Sequence, residues 1–112
     1  MEKPLEFRGN SYRDLVRFPS DARQDAGYQL GKVQVGEEPD DWKPMTSVGS
    51  GVLEIRVRST AGAFRVIYAA RLGDAIYVLH CFQKKSEKTS QPDLDIAAKR
   101  YRDLVRELSH GK

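Results

Sequence analysis

A chain of 112 residues has room for one domain with a modest core and none for a second, so residues 1–112 are expected to fold as one unit. With 39% hydrophobic and 31% charged residues it has the composition of a globular protein, and no apolar run approaches the roughly 18 residues of a membrane span. The net charge of +3 is mild, and one cysteine with two histidines excludes an internal disulfide and gives no metal-ligand spacing, so no metal or cofactor is expected.

The N-terminus MEKPLEFRGN lacks the apolar core of a signal sequence, which predicts a cytoplasmic protein without membrane contact. Pro4–Phe7 alternates as a short strand, kept at or near a sheet edge by Pro4. Ser11 to Phe18 has helical spacing, with Ser11 and Asp14 resembling a capping box and Pro19 ending the segment. Ser20 is placed to cap a second helix with Ala22, Ala26, Leu30 and Val33 on one side and Gly36 as its stop. These two segments predict an αα-hairpin. Glu37–Gly51, containing Pro39 and Pro44, reads as a loop anchored by Trp42.

Val52–Arg58 alternates cleanly, with Leu53, Ile55 and Val57 to one side and Glu54, Arg56 and Arg58 to the other. Ala63–Lys85 then holds two β-branched and aromatic runs separated by Leu72-Gly73-Asp74, the pattern of an antiparallel hairpin. A two-residue Gly73-Asp74 turn sets Arg65 opposite Phe82 and Ile67 opposite His80. Phe64, Val66, Tyr68, Tyr77, Leu79 and Cys81 then share an apolar face that the helical hairpin would cover. Arg65, Ile67, Ala69, Val78, His80, Phe82 and Lys84 share the other. Cys81 in mid-strand reads as a small core residue.

A four-residue turn at Ser59–Gly62 brings Arg56 opposite Arg65, on the face that also carries His80 and Lys84. Like charges directly opposite one another destabilise a sheet, which predicts an anion between them. From Arg56 to Lys88 there are seven basic residues against two acids, whereas Glu37–Asp41 holds four acids and no base. That distribution suits a polyanion-binding surface, and a solvated sheet face gives the same count. A final helix starts near Pro92, with Leu94, Ala97/Ala98, Tyr101, Leu104/Val105 and Leu108 as its apolar stripe. The hexapeptide YRDLVR occurs at Tyr12–Arg17 and Tyr101–Arg106, read as two similar amphipathic helices rather than a repeat. No phosphate-binding loop, dinucleotide fingerprint or nucleophile elbow is present.

The order of elements and four motifs together carry a resemblance. Lys43-Pro44-Met45, Gly51–Val57 (GVLEIRV), Phe64–Tyr68 (FRVIY) and Leu79–Lys85 (LHCFQKK) resemble the RelE/ParE toxin superfamily, and within it the phage-derived HigB-like branch. Cys81 stands where a small residue, often glycine, is usual, and the K-T-x-x-P stretch, Lys88-Thr89-Ser90-Gln91-Pro92, is spaced from Leu79–Lys85 by Ser86-Glu87. The resemblance implies an α+β, RelE-like fold of order β-α-α-β-β-β-α, with a mostly antiparallel curved sheet, a helical hairpin on one face and a C-terminal helix. It implies the toxin of a type II toxin–antitoxin system, a ribosome-dependent endoribonuclease (mRNA interferase, a hydrolase) that inhibits translation by cutting mRNA.

In metal-free RNA cleavage the 2′-hydroxyl attacks the adjacent phosphate, so charge must be neutralised and a proton moved at each end. On that reading Arg65 is the first choice for a phosphate clamp, since its fork suits two phosphate oxygens, and Lys84 and His80 are the acid–base candidates. Crowding by Arg65, Arg56 and Lys85 is expected to lower the Lys84 pKa. Arg56, Arg58 and Lys85 are assigned to RNA phosphates and Phe82 to stacking on a base. The implied partners are mRNA, the ribosome and a cognate antitoxin of helix-turn-helix type, through which DNA contact is indirect. The alternatives are a ParE-like inhibitor of DNA gyrase, which needs no catalytic residues, and an inactive antitoxin-binding partner.

Overall fold

Three alternating, β-branched runs pair antiparallel at the centre of a five-stranded sheet of order β1-β5-β4-β3-β2. The computed structural model describes residues 2–110. In chain order it runs β1 (Leu5–Phe7), α1 (Ser11–Val16), α2 (Ser20–Gln34), β2 (Trp42–Pro44), β3 (Val52–Ser59), β4 (Gly62–Ala69), β5 (Ile76–Lys84) and α3 (Gln91–His110). This is the predicted α+β order with one addition, β2, inside the stretch expected to be a loop. β2 tolerates Pro44 because it is an edge strand, paired only with β3. At the other edge β1 pairs parallel with β5.

The β3–β4 register is the predicted one, with Arg56 opposite Arg65 and Glu54 opposite Ile67. The turn is tight, Ser59 pairing with Gly62 at φ +129°. The β4–β5 register is as predicted only in its outer half, where Arg65 faces Phe82 and Ile67 faces His80. Beyond Ile67 it shifts by one, so that Tyr68 faces Val78 and Ala69 faces Tyr77, and the expected Gly73-Asp74 turn is the longer connection Ala70–Ala75. The extra residue is Leu79, a β-bulge whose freed carbonyl accepts a hydrogen bond from Arg100 Nη1 at 2.9 Å. The bulge reverses the side-chain alternation. Val78 therefore joins the face under the helical hairpin, while Tyr77 and Leu79, expected there, lie on the opposite face.

Each face has its own cover. The hairpin α1–α2 lays Leu15, Phe18, Ala22, Ala26, Leu30 and Val33 on Ile55, Val57, Phe64, Val66, Tyr68, Val78 and Cys81. Cys81 is a core residue, its thiol pushed up to about 12 by burial. Ser11 does not cap α1; its hydroxyl donates to the Val78 carbonyl at 3.1 Å and fastens the helix to β5. Ser20 is likewise the first residue of α2, after a Pro19 N-cap with no side-chain bond.

On the other face, α3 packs Ala97 and Leu104 with Met45, Val48, Val52, Ile67, Tyr77, Leu79 and Phe82. Gly49 lets the 45–51 segment approach α3, since a Cβ there would lie 2.3 Å from the Tyr101 ring, and the Tyr101 hydroxyl donates to the Ser50 carbonyl at 2.9 Å. Among the described residues no helix is long and apolar enough to cross a membrane.

Candidate active site

The register places the chemistry in rows across the α3 side of the sheet. Arg56, Arg65 and Phe82 are successive partners in one row, Lys43, Glu54, Ile67 and His80 in the next, and Arg58, Ala63 and Lys84 in a third. Directly opposed residues project to the same face, so the cations converge by pairing alone. α3 covers the end of this face around Val52, Ile67, Tyr77 and Leu79 and leaves the end carrying Arg56, Lys84 and Lys85 accessible.

Arg65 is only 8% exposed and Glu54 is fully buried, with Arg65 Nε 3.6 Å from Glu54 Oε1. Burial lowers the Arg65 pKa, Glu54 opposes that shift, and Arg56 and Arg58 add to it. Arg65 Nη1 donates to its neighbour's carbonyl, Phe64 O, at 2.9 Å, which fixes the guanidinium plane. Arg56 Nη1 lies 3.9 Å from Asp41. Each of the two opposed arginines thus lies beside a carboxylate of the chain itself, which offsets their mutual repulsion.

The balance is incomplete. Glu54 Oε1, Arg56 Nε and Arg65 Nε are all buried and have no hydrogen-bond partner among the described residues. Buried polar atoms are normally satisfied, and three orphans in one cluster mark a site arranged for something else.

Lys84 stands at the rim, half-buried, its ammonium donating to the Glu87 carbonyl. Its pKa is lowered, first by partial burial, then by Arg65, with Lys43 and Arg56 adding to the effect and Glu54 opposing it. The direction is the one expected from the sequence. The leading cause differs, and Lys43, not Lys85, is the second lysine involved. Lys85 and Arg58 are exposed at the same end.

His80 departs most from expectation. It is 5% exposed, beneath the start of α3, with Nε2 bonded to Asp93 Oδ1 at 2.7 Å and Nδ1 without a partner among the described residues. Burial lowers its pKa, against the Asp93 contact. Phe82 stacks on it, with ring centroids 4.8 Å apart and planes at 21°, and is itself 8% exposed. Ser90 completes the junction, its hydroxyl donating to Asp93 Oδ2 at 2.7 Å while accepting from the Asp93 backbone N–H.

Sequence reasoning missed Glu54 and Thr89. Thr89 Oγ1 donates to Glu54 Oε2 at 3.2 Å and ties the lysine-rich connection after β5 to the centre of the sheet. The available signal for Glu54 was its place as the one acid on the strand face that carries Arg56 and Arg58.

Residues 13–102 match the family described as Phage derived protein Gp49-like (DUF891). Among solved structures the chain is similar to a free-state double-arginine mutant of the E. coli toxin RelE, with a TM-score of 0.64 and 13% sequence identity. That alignment covers 93% of this chain and 99% of the other. No curated protein matches.

Proposed function

The chain belongs to the phage-derived Gp49-like family and has a RelE-like fold, and from that premise we propose that it is the toxin of a type II toxin–antitoxin pair, an endoribonuclease of the HigB-like branch that cuts mRNA on the ribosome. The observation that carries this reading is the Glu54–Arg56–Arg65–Lys84 cluster with its three buried, unpartnered polar atoms. Four cations, Lys43, Arg56, Arg65 and Lys84, gather around two carboxylates, Glu54 and Asp41. Such an excess, fixed before substrate arrives, suits the charge that builds on a pentavalent phosphate.

On this reading the scissile phosphate sits against Arg65 and Arg56. Their Nε atoms are buried, that of Arg65 3.6 Å from Glu54 Oε1, so the phosphate meets Nη donors, and Arg56 presents the more exposed guanidinium of the two. Glu54 is fully buried and does not reach RNA, so it is a positioning residue that sets the Arg65 guanidinium. Proton transfer falls to Lys84. Its lowered pKa brings the neutral amine closer to working pH, as is needed to take the 2′-hydroxyl proton, while water protonates the departing 5′-oxygen at the open rim. The attack forms a 2′,3′-cyclic phosphate and frees a 5′-hydroxyl end. His80, enclosed between Phe82 and Asp93, orients the edge of the site rather than moving protons.

On this reading the protein acts in the cytoplasm, on mRNA at the ribosome, and a cognate antitoxin with a helix-turn-helix domain holds it silent. The test is primer extension on a defined mRNA in a purified translation system, with and without ribosomes. Wild type is expected to give discrete, ribosome-dependent cuts that disappear in folded Arg65→Ala and weaken at least about a hundredfold in Lys84→Ala, the usual contribution of one proton-transfer group. Intact mRNA with folded wild type sinks the endoribonuclease reading and directs attention to gyrase supercoiling.

A further inference from the structure

Beside the arginine cluster lies a cleft of about 230 Å³, bounded by Phe82, Lys84, Lys85, Lys88, Ser90 and Asp93. Phosphate binding alone does not account for it. The three lysines suit a nucleic-acid backbone, but the Asp93 carboxylate repels a phosphate and attracts N–H donors instead. Asp93 is also held in place. Oδ1 accepts from buried His80 and Oδ2 from Ser90, one bond each, which leaves acceptor capacity on both oxygens. Its side chain is 24% exposed and so within reach of a ligand. One face of Phe82 is stacked on His80, which fixes the tilt of the aromatic wall, and Phe82 is the direct strand partner of Arg65.

We propose that this cleft holds one base of the RNA whose neighbouring phosphate lies on Arg65, and that Asp93 selects bases bearing an exocyclic amine against uracil. The inference rests on the endoribonuclease reading above. Adenine, cytosine and guanine each present an amine that can donate to the carboxylate, whereas the pairing edge of uracil presents one N–H flanked by two carbonyl oxygens that face Asp93 unfavourably. Lys85 and Lys88 meet the phosphates on either side, and Phe82 supplies the apolar wall.

Two measurements test this. Cleavage sites are mapped across an mRNA containing every codon, for wild type and Asp93→Asn. Asparagine keeps an acceptor for His80 but removes the charge and adds a donor for uracil. Wild type is expected to avoid uracil about tenfold at one fixed position relative to the cut, the discrimination of one charge-assisted hydrogen bond, and the variant to lose that avoidance. Absence of the bias in wild type, or its survival in Asp93→Asn, overturns the proposal.

The second measurement needs neither the variant nor cleavage. Wild type is titrated with uncuttable 2′-O-methyl trinucleotides differing in the middle base, while the amide NMR signals of residues 82–93 are followed. Amine-bearing bases are expected to saturate Ser90 and Asp93 at about tenfold lower concentration than uracil. Equal curves overturn the cleft. Base-selective binding together with uncut mRNA would retire the enzyme reading and leave the cleft standing.

Discussion

The two faces of the sheet are covered in different ways, and the contrast separates what holds the fold from what acts. Under the hairpin the contact is mainly hydrocarbon, with Ala22, Ala26 and Leu30 fully buried and Phe18 against Phe64 at 4.7 Å, and its polar ties to the sheet are few, Ser11 to the Val78 carbonyl and Asp21 to Ser59 and Thr60. Under α3 only part of the face is of that kind. Ala97 and Leu104 are buried, but the helix is also held by polar ties, Arg100 to the Leu79 carbonyl, Tyr101 to Ser50 and Asp93 to His80. Next to these ties the same face buries Glu54 and Arg65 without satisfying either completely. Desolvating two charges costs more than an imperfect pair returns, so stability is expected to come from the hairpin face while the α3 face gives some of it up for reactivity.

The sharpest way to break this contrast is to make the α3 face resemble the hairpin face. Glu54→Leu combined with Arg65→Met replaces the pair with hydrocarbon of similar size. Cleavage in the translation assay is expected to fall by about 10²–10³ or more, while the unfolding free energy in urea rises by about 1–4 kcal/mol. A double variant that unfolds more easily than wild type would mean the pair holds the sheet together. The reciprocal change is Leu30→Ala on the hairpin face. It is expected to lower stability by about 2–5 kcal/mol and to leave the cleavage rate per folded molecule unchanged.

The same contrast explains which parts of the structure could be read from the sequence. The outer register was legible because Phe64–Tyr68 and His80–Phe82 alternate clearly. The inner register was not. Ile76-Tyr77-Val78-Leu79 is apolar throughout and suits either face, and the Leu79 bulge depends on Arg100, which the sequence places in a different element. β2 escaped notice because a three-residue edge strand ending in Pro44 has too few residues to show alternation.

The polar face was expected to be open, yet the stripe of α3 needed an apolar surface and the hairpin had already taken the other one. Half of that face had to close, and His80 closed with it. Glu54 looked like an outward-facing residue of an alternating strand. It is buried because Lys43 of β2, Ile67 and Thr89 surround it, and no local pattern reports those contacts.

The pH dependence of stability offers a smaller effect on the same boundary. Burial lowers the His80 pKa, with Asp93 opposing, so between its folded and unfolded values the unfolded chain binds the additional proton. Stability is therefore complete above about 6.5, the unfolded value, and declines as pH falls below it. The melting temperature of wild type is expected to drop between pH 7 and pH 5 by more than that of His80→Gln, which keeps an N–H for Asp93 but does not titrate. Parallel melting curves would remove His80 from the account of how α3 is held.

The smallest expected effect falls on the Thr89–Glu54 bond, which joins the lysine-rich connection to the centre of the sheet. Thr89→Val removes the donor to Glu54 Oε2 and keeps the shape of the side chain. It is expected to destabilise by about 1 kcal/mol in urea unfolding, and Thr89→Ser to restore most of that. The informative readout is the cleavage rate. If Glu54 only balances charge, Arg65 stays where it is and the rate follows stability. If Glu54 orients the Arg65 guanidinium, as its fully buried position 3.6 Å from Nε indicates, loosening its far oxygen lowers the maximal rate while the RNA concentration at half-maximal rate stays constant.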